Sequence, residues 1–325
     1  MRAVVVERWT DPAELRVSEL PDPKLPSGGL RVEVKAAGCN FFDILMVRGE
    51  YQVKPPFPFV PGAELAGVVR EVGDGVSGFA VGDRILASAG LGAFATQAIV
   101  AAPAAHRMPE NMSFEAGAAL PIVYPTSYAG LVFRAGLKTG ESLLVHAAAG
   151  GVGLAAVQIG KALGARVIAT AGGEDKLRVA RDAGADVAID YRADDWPEKV
   201  KEATGGRGAD VIYDSVGGDV TDQSLKCIAW NGRLLVIGFA SGKIPAVKLN
   251  RVLLKNISLV GLHWGAHLTN EPARIGETFA RLFELYRAGA IEPVIFPERY
   301  GLEDLPKALA ALGSRRTYGK VIVSP

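Results

Sequence analysis

The chain has 325 residues, 49% of them hydrophobic, with 36 Lys+Arg against 35 Asp+Glu and a formal net charge of +1. That length supports about two domains with a sizeable core, and the balanced charge leaves no basic footprint for nucleic acid or an anionic membrane. The two cysteines, Cys39 and Cys227, are far apart and suggest neither a disulfide framework nor a CxxC site, which fits a reducing cytosol, and the N-terminal MRAVVVERW has too short an apolar run for a signal peptide.

Taken in order, the first third predicts strands. RAVVVE, LRVEVKAAG and AGVVREVG are short β-branched runs separated by Pro and Gly, and VSGFAVGDRILA adds a turn followed by a strand. The uncharged residues 85–105 are long enough to raise a transmembrane helix. Gly90, Gly92, Gln97 and Pro103 interrupt them, so they predict buried strands joined by a glycine turn. From residue 142 to about 261 the period changes. SLLVHA, RVIATAG, DVAID, DVIYDSVG, RLLVIGFA and ISLVGL alternate with helical segments, which predicts right-handed βαβ units and a doubly wound parallel sheet in an α/β protein. The tail holds an amphipathic helix, IGETFARLFELYRAG, a second helix, LEDLPKALAALG, and a last strand, KVIVS, that needs a sheet to join. The expected organisation is a β-rich domain over 1–121, a nucleotide domain over 122–262, and a return to the first domain over 263–325.

Between the strands LLVH and RVIATAG runs Ala148-Ala149-Gly150-Gly151-Val152-Gly153, which opens the helix LAAVQIGKALG. Gly150 would let the backbone approach a pyrophosphate and Gly153 would let the helix pack closely on the strand, while the helix N-terminus supplies free N–H groups and a partial positive charge. Ala148 stands where GxGxxG has its first glycine, but the strand–turn–helix–strand context favours dinucleotide binding over a purely structural turn. An NAD site has Asp or Glu at the tip of the next strand to bind the ribose hydroxyls. Here the tip is Ala171-Gly172-Gly173. Glu174 and Asp175 come next, at a position where acids commonly begin a helix, and that reading is preferred to a ribose contact. Lys176 is then available to a 2′-phosphate, and NADPH is the favoured cofactor.

CNFFDILMVRGEYQVKPPFPFVPGAELAGVV, GVSGFAVGDRI, HAAAGGVG, VIYDSVGGD and GKVIV, in this order, make the chain resemble the zinc-free quinone oxidoreductases, the ζ-crystallin-like branch of the medium-chain dehydrogenases/reductases. The similarity covers essentially the whole chain. It implies a GroES-like catalytic domain, a Rossmann domain, NADPH, and a homodimer. Zinc-dependent relatives place a ligating Cys three residues before the Asp that matches Asp43, and a Gly-His-Glu motif further on. Here these become Asn40 and Gly62-Ala63-Glu64, and the cysteines of the structural zinc lobe are absent, so no metal is expected. Without a Lewis acid, hydride delivery to an electrophilic quinone or enone is easier than alcohol oxidation.

The resemblance implies further residue roles. Asn40 lies beside the nicotinamide ribose, and Thr126 near the nicotinamide. Ala149, Gly150, Gly151, Val152 and Gly153 cradle the pyrophosphate, with Gly172 and Lys176 beyond. Tyr191 takes the adenosine side. Gly218, Gly238, Phe239, Leu262 and His263 make further cofactor contacts, and Arg315 pairs with the 2′-phosphate. Tyr51, in RGEYQ, matches a tyrosine that donates a proton in the enoyl reductase branch; the alternative is a residue that only lines the site. Asn40 and Tyr51 are the expected catalytic pair. Of the other histidines, His146 reads as structural, and His106 and His267 as surface residues. Two alternatives stay open, an enoyl-thioester reductase and a cofactor-binding structural protein with little turnover.

Overall fold

The structure, a computed structural model, describes all 325 residues, in two compact units: Met1–Ile122 with Pro293–Pro325, and Val123–Glu292. The return to the first unit therefore comes at Pro293, about 30 residues later than residue 263. The helix Pro272–Arg287 is the reason. Its periodicity identifies an apolar face, with Ile275, Phe279 and Leu282 buried, and that face packs in the second unit, whose helix Val123–Tyr128 is among its neighbours.

The first unit is built on a seven-stranded sheet. Gly29–Cys39 lies at its centre, antiparallel to Glu64–Val72, to Gln97–Ala101 and to the C-terminal strand Val321–Ser324. The last strand thus finds its sheet beside the end of Gly29–Cys39, with Val321 opposite Cys39. The uncharged residues 85–105 form strands rather than a membrane helix: Arg84–Ser88, Gln97–Ala101 and the start of Ala105–Arg107. No helix of the protein is long and apolar enough to cross a membrane. Leu30, Val32, Leu65, Ile85, Phe94 and Val323 are fully buried in this core. At about 25 cal/mol per Å² of apolar surface removed from water, each such side chain contributes roughly 1.5–3 kcal/mol.

The second unit carries a six-stranded sheet, all parallel. Its spatial order is Val187–Asp190, Arg166–Ala171, Ser142–Val145, Ala209–Asp214, Ile228–Val236, Ser258–Gly261. Counted along the chain this is 3-2-1-4-5-6, the doubly wound order of dinucleotide-binding domains, in which ligands lie outside the carboxyl ends of the strands. Leu144, Ile168, Ile212 and Leu234 are buried from the strands, and Trp196, Val200 and Leu225 from the helices over them. The helix Gly151–Ala162 approaches its strand so closely that a Cβ on Gly160 would stand 2.5 Å from Leu143 Cδ2.

Candidate functional site

Every expected cofactor residue of the second unit except Thr126 and Lys176 lies in a segment that leaves the carboxyl end of a strand or, for Gly151, Val152 and Gly153, in the first turn of the helix that follows. After Ser142–Val145 the chain turns through Ala147, at φ +48°, and Gly150 caps the helix Gly151–Ala162. Gly150 N–H donates to Ala147 O at 2.9 Å, and Gly150 O accepts from Leu154 N–H at 2.8 Å. The first-turn N–H groups of Gly151, Val152 and Gly153 have no intrahelical acceptor, so they point an unpaired donor set out of the turn. A Cβ on Gly153 would lie 2.3 Å from Ala147 O and 2.7 Å from Ala148 Cα, backbone atoms that cannot give way. Ala149 is buried, and Thr126 sits on Val123–Tyr128, beside Ser127, whose hydroxyl donates to Val152 O at 3.0 Å.

His146 is structural, as its position predicts. Its ring is buried between Thr170 Oγ1 at 2.9 Å and Ser224 Oγ at 2.8 Å, and burial pushes its pKa down to about 4, so it is neutral at physiological pH. The two histidines expected on the surface are partly buried instead. His106 lies on the strand Ala105–Arg107, where burial lowers its pKa to about 4, and His267 sits 3.3 Å from the Glu271 carboxylate. Small strands and one-turn helices give a sequence window too little period to show such burial.

At the next strand tip, Gly172 lies against the Tyr191 phenol ring: an added Cβ would meet it at 3.1–3.2 Å. Glu174 and Asp175 begin the helix Glu174–Asp182 and pair with Arg181 and Arg178 along it, so they act as first-turn acids. Lys176 is on the same first turn. Sequence reasoning missed Arg192. Its guanidinium lies against Gly173, 3.5 Å from where a Cβ would stand, and donates to Asp190, holding that carboxyl far below the usual range. The carboxylate bonded to the tip, Asp190 Oδ2 accepting from Gly173 N–H at 3.3 Å, is thus already engaged. The adjacency of Arg192 to Tyr191 in IDYR was the available signal.

The remaining cofactor residues come after the other strands. Gly217 and Gly218, at φ +75° and +57°, precede the helix Asp219–Cys227, and buried Asp214 fixes the loop by accepting from Val216 N–H and Gly217 N–H at 2.9 and 3.0 Å. Gly238 and Phe239 come after Ile228–Val236, tied to that loop by Ser241 N–H donating to Val216 O at 2.9 Å. Leu262 and His263 come after Ser258–Gly261.

Asn40, Tyr51 and Arg315 belong to the first unit. Arg315 is exposed, in a left-handed conformation at φ +57° after the helix Leu305–Gly313. Asn40 follows the central strand and caps the helix Phe41–Val47; its N–H donates to Asp43 Oδ2 at 2.7 Å. Its side chain joins a buried network. Asn40 Nδ2 donates to Glu64 Oε1 at 2.8 Å, and Lys320 Nζ donates to Asn40 Oδ1 at 2.8 Å, Glu64 Oε1 at 2.6 Å and Cys39 O at 2.8 Å. Glu64 Oε2 accepts from Ile122 N–H at 2.9 Å. Glu64 is 0% exposed and Lys320 4%. Gly38 makes room: a Cβ there would sit 2.6 Å from Glu64 Oε1. Glu64 and Lys320 lie in motifs already noted, but 256 residues apart, and no local pattern joins them.

Burial pushes the Asp43 carboxyl up to about 7, and its Oδ1 is buried with no hydrogen-bond partner. Cys39 and Cys227 are buried free thiols whose pKa values burial raises, the latter to about 12, as small hydrophobes should be. Tyr51 stacks on Phe42, ring centroids 5.3 Å apart, and is half-buried; burial and the Asp43 carboxylate raise its phenol, which stays protonated. Zinc does not fit the residues present. The Ala63 methyl has no lone pair, and a lysine ammonium already stands on the Asn40 oxygen.

Comparison with known proteins places this geometry. Residues 26–110 match the family model for the alcohol dehydrogenase GroES-like domain, and residues 151–283 the model for zinc-binding dehydrogenase. The quinone oxidoreductase-like protein 2 homolog of Nematostella vectensis is 42% identical over 302 residues, covering 92% of this chain and 82% of that one. The solved structure of Escherichia coli quinone oxidoreductase complexed with NADPH is 33% identical, with all of each chain covered and a TM-score of 0.92. A mycobacterial protein solved complexed with NADPH is 34% identical, again over all of both chains, with a TM-score of 0.93.

Proposed function

The chain belongs to the zinc-free quinone oxidoreductase branch of the medium-chain dehydrogenase/reductase family, and from that premise we propose that it is an NADPH-dependent reductase that delivers hydride to quinones or α,β-unsaturated carbonyls without a metal. The observation that carries this reading is the carboxyl edge of the parallel sheet. There the chain gathers a helix N-terminus with unpaired donors, a turn left open at Gly150 with the helix drawn in so closely that Gly153 admits no Cβ, and a strand tip without a free carboxylate. The donors fit the pyrophosphate of either dinucleotide, and the strand tip without a free carboxylate fits a 2′-phosphate better than a 2′-hydroxyl.

NADPH, when bound, supplies the hydride. The chain's own part is to hold the cofactor at Gly150–Gly153 and to offer Lys176 and Arg192 to its 2′-phosphate, a role the family resemblance also assigns to Arg315. Asn40 offers an N–H to an oxygen of the ribose or the acceptor. Hydride addition to an enone β-carbon leaves negative charge on the carbonyl oxygen, which the Tyr51 phenol can hydrogen-bond or protonate. A quinone needs this less, because its hydroquinone anion is already delocalised. Tyr51 also favours a second reading, reduction of an enoyl thioester.

The exposed side chains of Leu249, Leu253 and Leu254, at 76%, 76% and 68%, lie in the second unit with the unpaired edge strand Ser258–Gly261. An apolar surface next in sequence to an open sheet edge supports the homodimer reading. Two buried free thiols suit a reducing, cytoplasmic setting. Oxidation of NADPH with a panel of quinones, enones and enoyl thioesters tests the proposal: turnover of thioesters alone would favour the second reading.

A further inference from the structure

The buried Lys320–Glu64 pair lies outside every role assigned so far, and its chemistry constrains Asn40 strongly. An asparagine amide can be turned over without changing its shape, exchanging oxygen and nitrogen, so its orientation must come from its partners. Lysine has only donors, so Lys320 Nζ, 2.8 Å away, must face Oδ1. An ionised carboxylate only accepts, so Glu64 Oε1, 2.8 Å away, must face Nδ2. The ammonium places its three protons on three oxygens, and Glu64 accepts from Asn40, Lys320 and Ile122. The flipped amide would put N–H against ammonium and oxygen against carboxylate, two repulsive contacts among buried side chains. One N–H of Asn40 remains uncommitted.

We infer that Lys320 and Glu64 are positioning residues that lock the Asn40 amide in one orientation, so that the group it presents to cofactor or acceptor is a hydrogen-bond donor, selecting an oxygen that accepts. This rests on the reading of Asn40 as a site residue. A structural role for the pair, stapling the C-terminal strand to Gly29–Cys39 and Glu64–Val72, predicts stability effects alone.

A double-mutant cycle separates the two. Replacing a buried ion pair by apolar residues of similar volume is commonly tolerated by the fold, so Glu64→Leu/Lys320→Met is made in the wild-type and Asn40→Ala backgrounds, with Glu64→Gln as a near-isosteric second variant should the double one fail to fold. The readouts are NADPH Kd, single-turnover hydride-transfer rate and thermal midpoint. Losing one oriented hydrogen bond predicts a five- to tenfold loss in Kd or rate in the wild-type background. In the Asn40→Ala background the same replacement should cost less than twofold, because the pair acts through the amide. Equal losses in the two backgrounds, or a lowered thermal midpoint with unchanged Kd and rate, would overturn the inference. If Asn40→Ala alone changed neither Kd nor rate, the placing of Asn40 at the site would fail instead, and the inference with it.

Discussion

Two glycines that face the same carbonyl, Ala147 O, make opposite predictions. Gly150 has an ordinary φ of −79°, and a methyl there would meet only Ala147 O, at 3.3 Å. Gly150→Ala should therefore still fold, costing about 0.5–1 kcal/mol at a helix N-cap, where glycine is preferred to alanine. The new methyl would nevertheless stand where a pyrophosphate must approach the backbone. Losing one or two hydrogen bonds to a charged group, at about 1.5–3 kcal/mol each, predicts a rise in NADPH Kd of at least about tenfold. Gly153→Ala instead drives a methyl into Ala147 O at 2.3 Å. The helix must be pushed off the strand by about 1 Å, an overpacking that costs about 1–3 kcal/mol and, in a chain of this size, roughly 2–10 °C in thermal midpoint. Titrating NADPH by quenching of protein fluorescence, with melting curves beside it, reads both numbers. A Gly150→Ala protein with wild-type NADPH affinity would refute the argument that this turn cradles a phosphate, leaving it a packing device.

The site supports further expected outcomes. NADPH should bind at least tenfold more tightly than NADH, and Lys176→Ala with Arg315→Ala should reduce that preference, with Arg192→Ala reducing it further; equal dissociation constants for the two cofactors in the wild type would count against it. Tyr51→Phe should lower kcat on enones by about 10²–10⁴ with little change in quinone turnover or NADPH affinity; unchanged enone kcat would make Tyr51 a wall residue. Asp43 has a folded pKa of about 7 against an ordinary aspartate value of 3.8. The folded state binds its proton more tightly, so its contribution to stability is present below about pH 4 and is lost as pH rises to 7, by at most about 4 kcal/mol. His146 and His106, depressed to about 4, act with the opposite sign over pH 4–6.5. Asp43→Asn removes the carboxyl without touching them, so the stability difference between variant and wild type should grow in the variant's favour from pH 5 to 8; a flat difference would mean that Asp43 is not protonated in the native state.

The parallel sheet was legible because each of its strands is a short apolar run between helical segments, which implies right-handed βαβ units but leaves the strand order open. The glycine turn was legible for the same local reason. The domain return was not: the helix Pro272–Arg287 announces an apolar face without announcing which core receives it. Glu64 and Lys320 each lie in a motif that the sequence shows, but nothing local joins them, and only the antiparallel pairing of Val321 with Cys39 brings the preceding lysine onto the Asn40 amide. Arg192 was overlooked because its importance lies in leaning on Gly173, a contact made by a loop from the neighbouring strand. The contacts that a window of sequence misses here consistently join segments distant along the chain.

The central claim is metal-free hydride transfer from NADPH, and the most direct measurement tracks the loss of reduced-nicotinamide absorbance with a quinone, with and without a strong chelator. The account predicts sustained, quinone-dependent oxidation of NADPH, slower oxidation of NADH, and rates unchanged by the chelator. Tight NADPH binding with no turnover of any quinone, enone or enoyl thioester, or activity abolished by the chelator and restored by zinc, would contradict it.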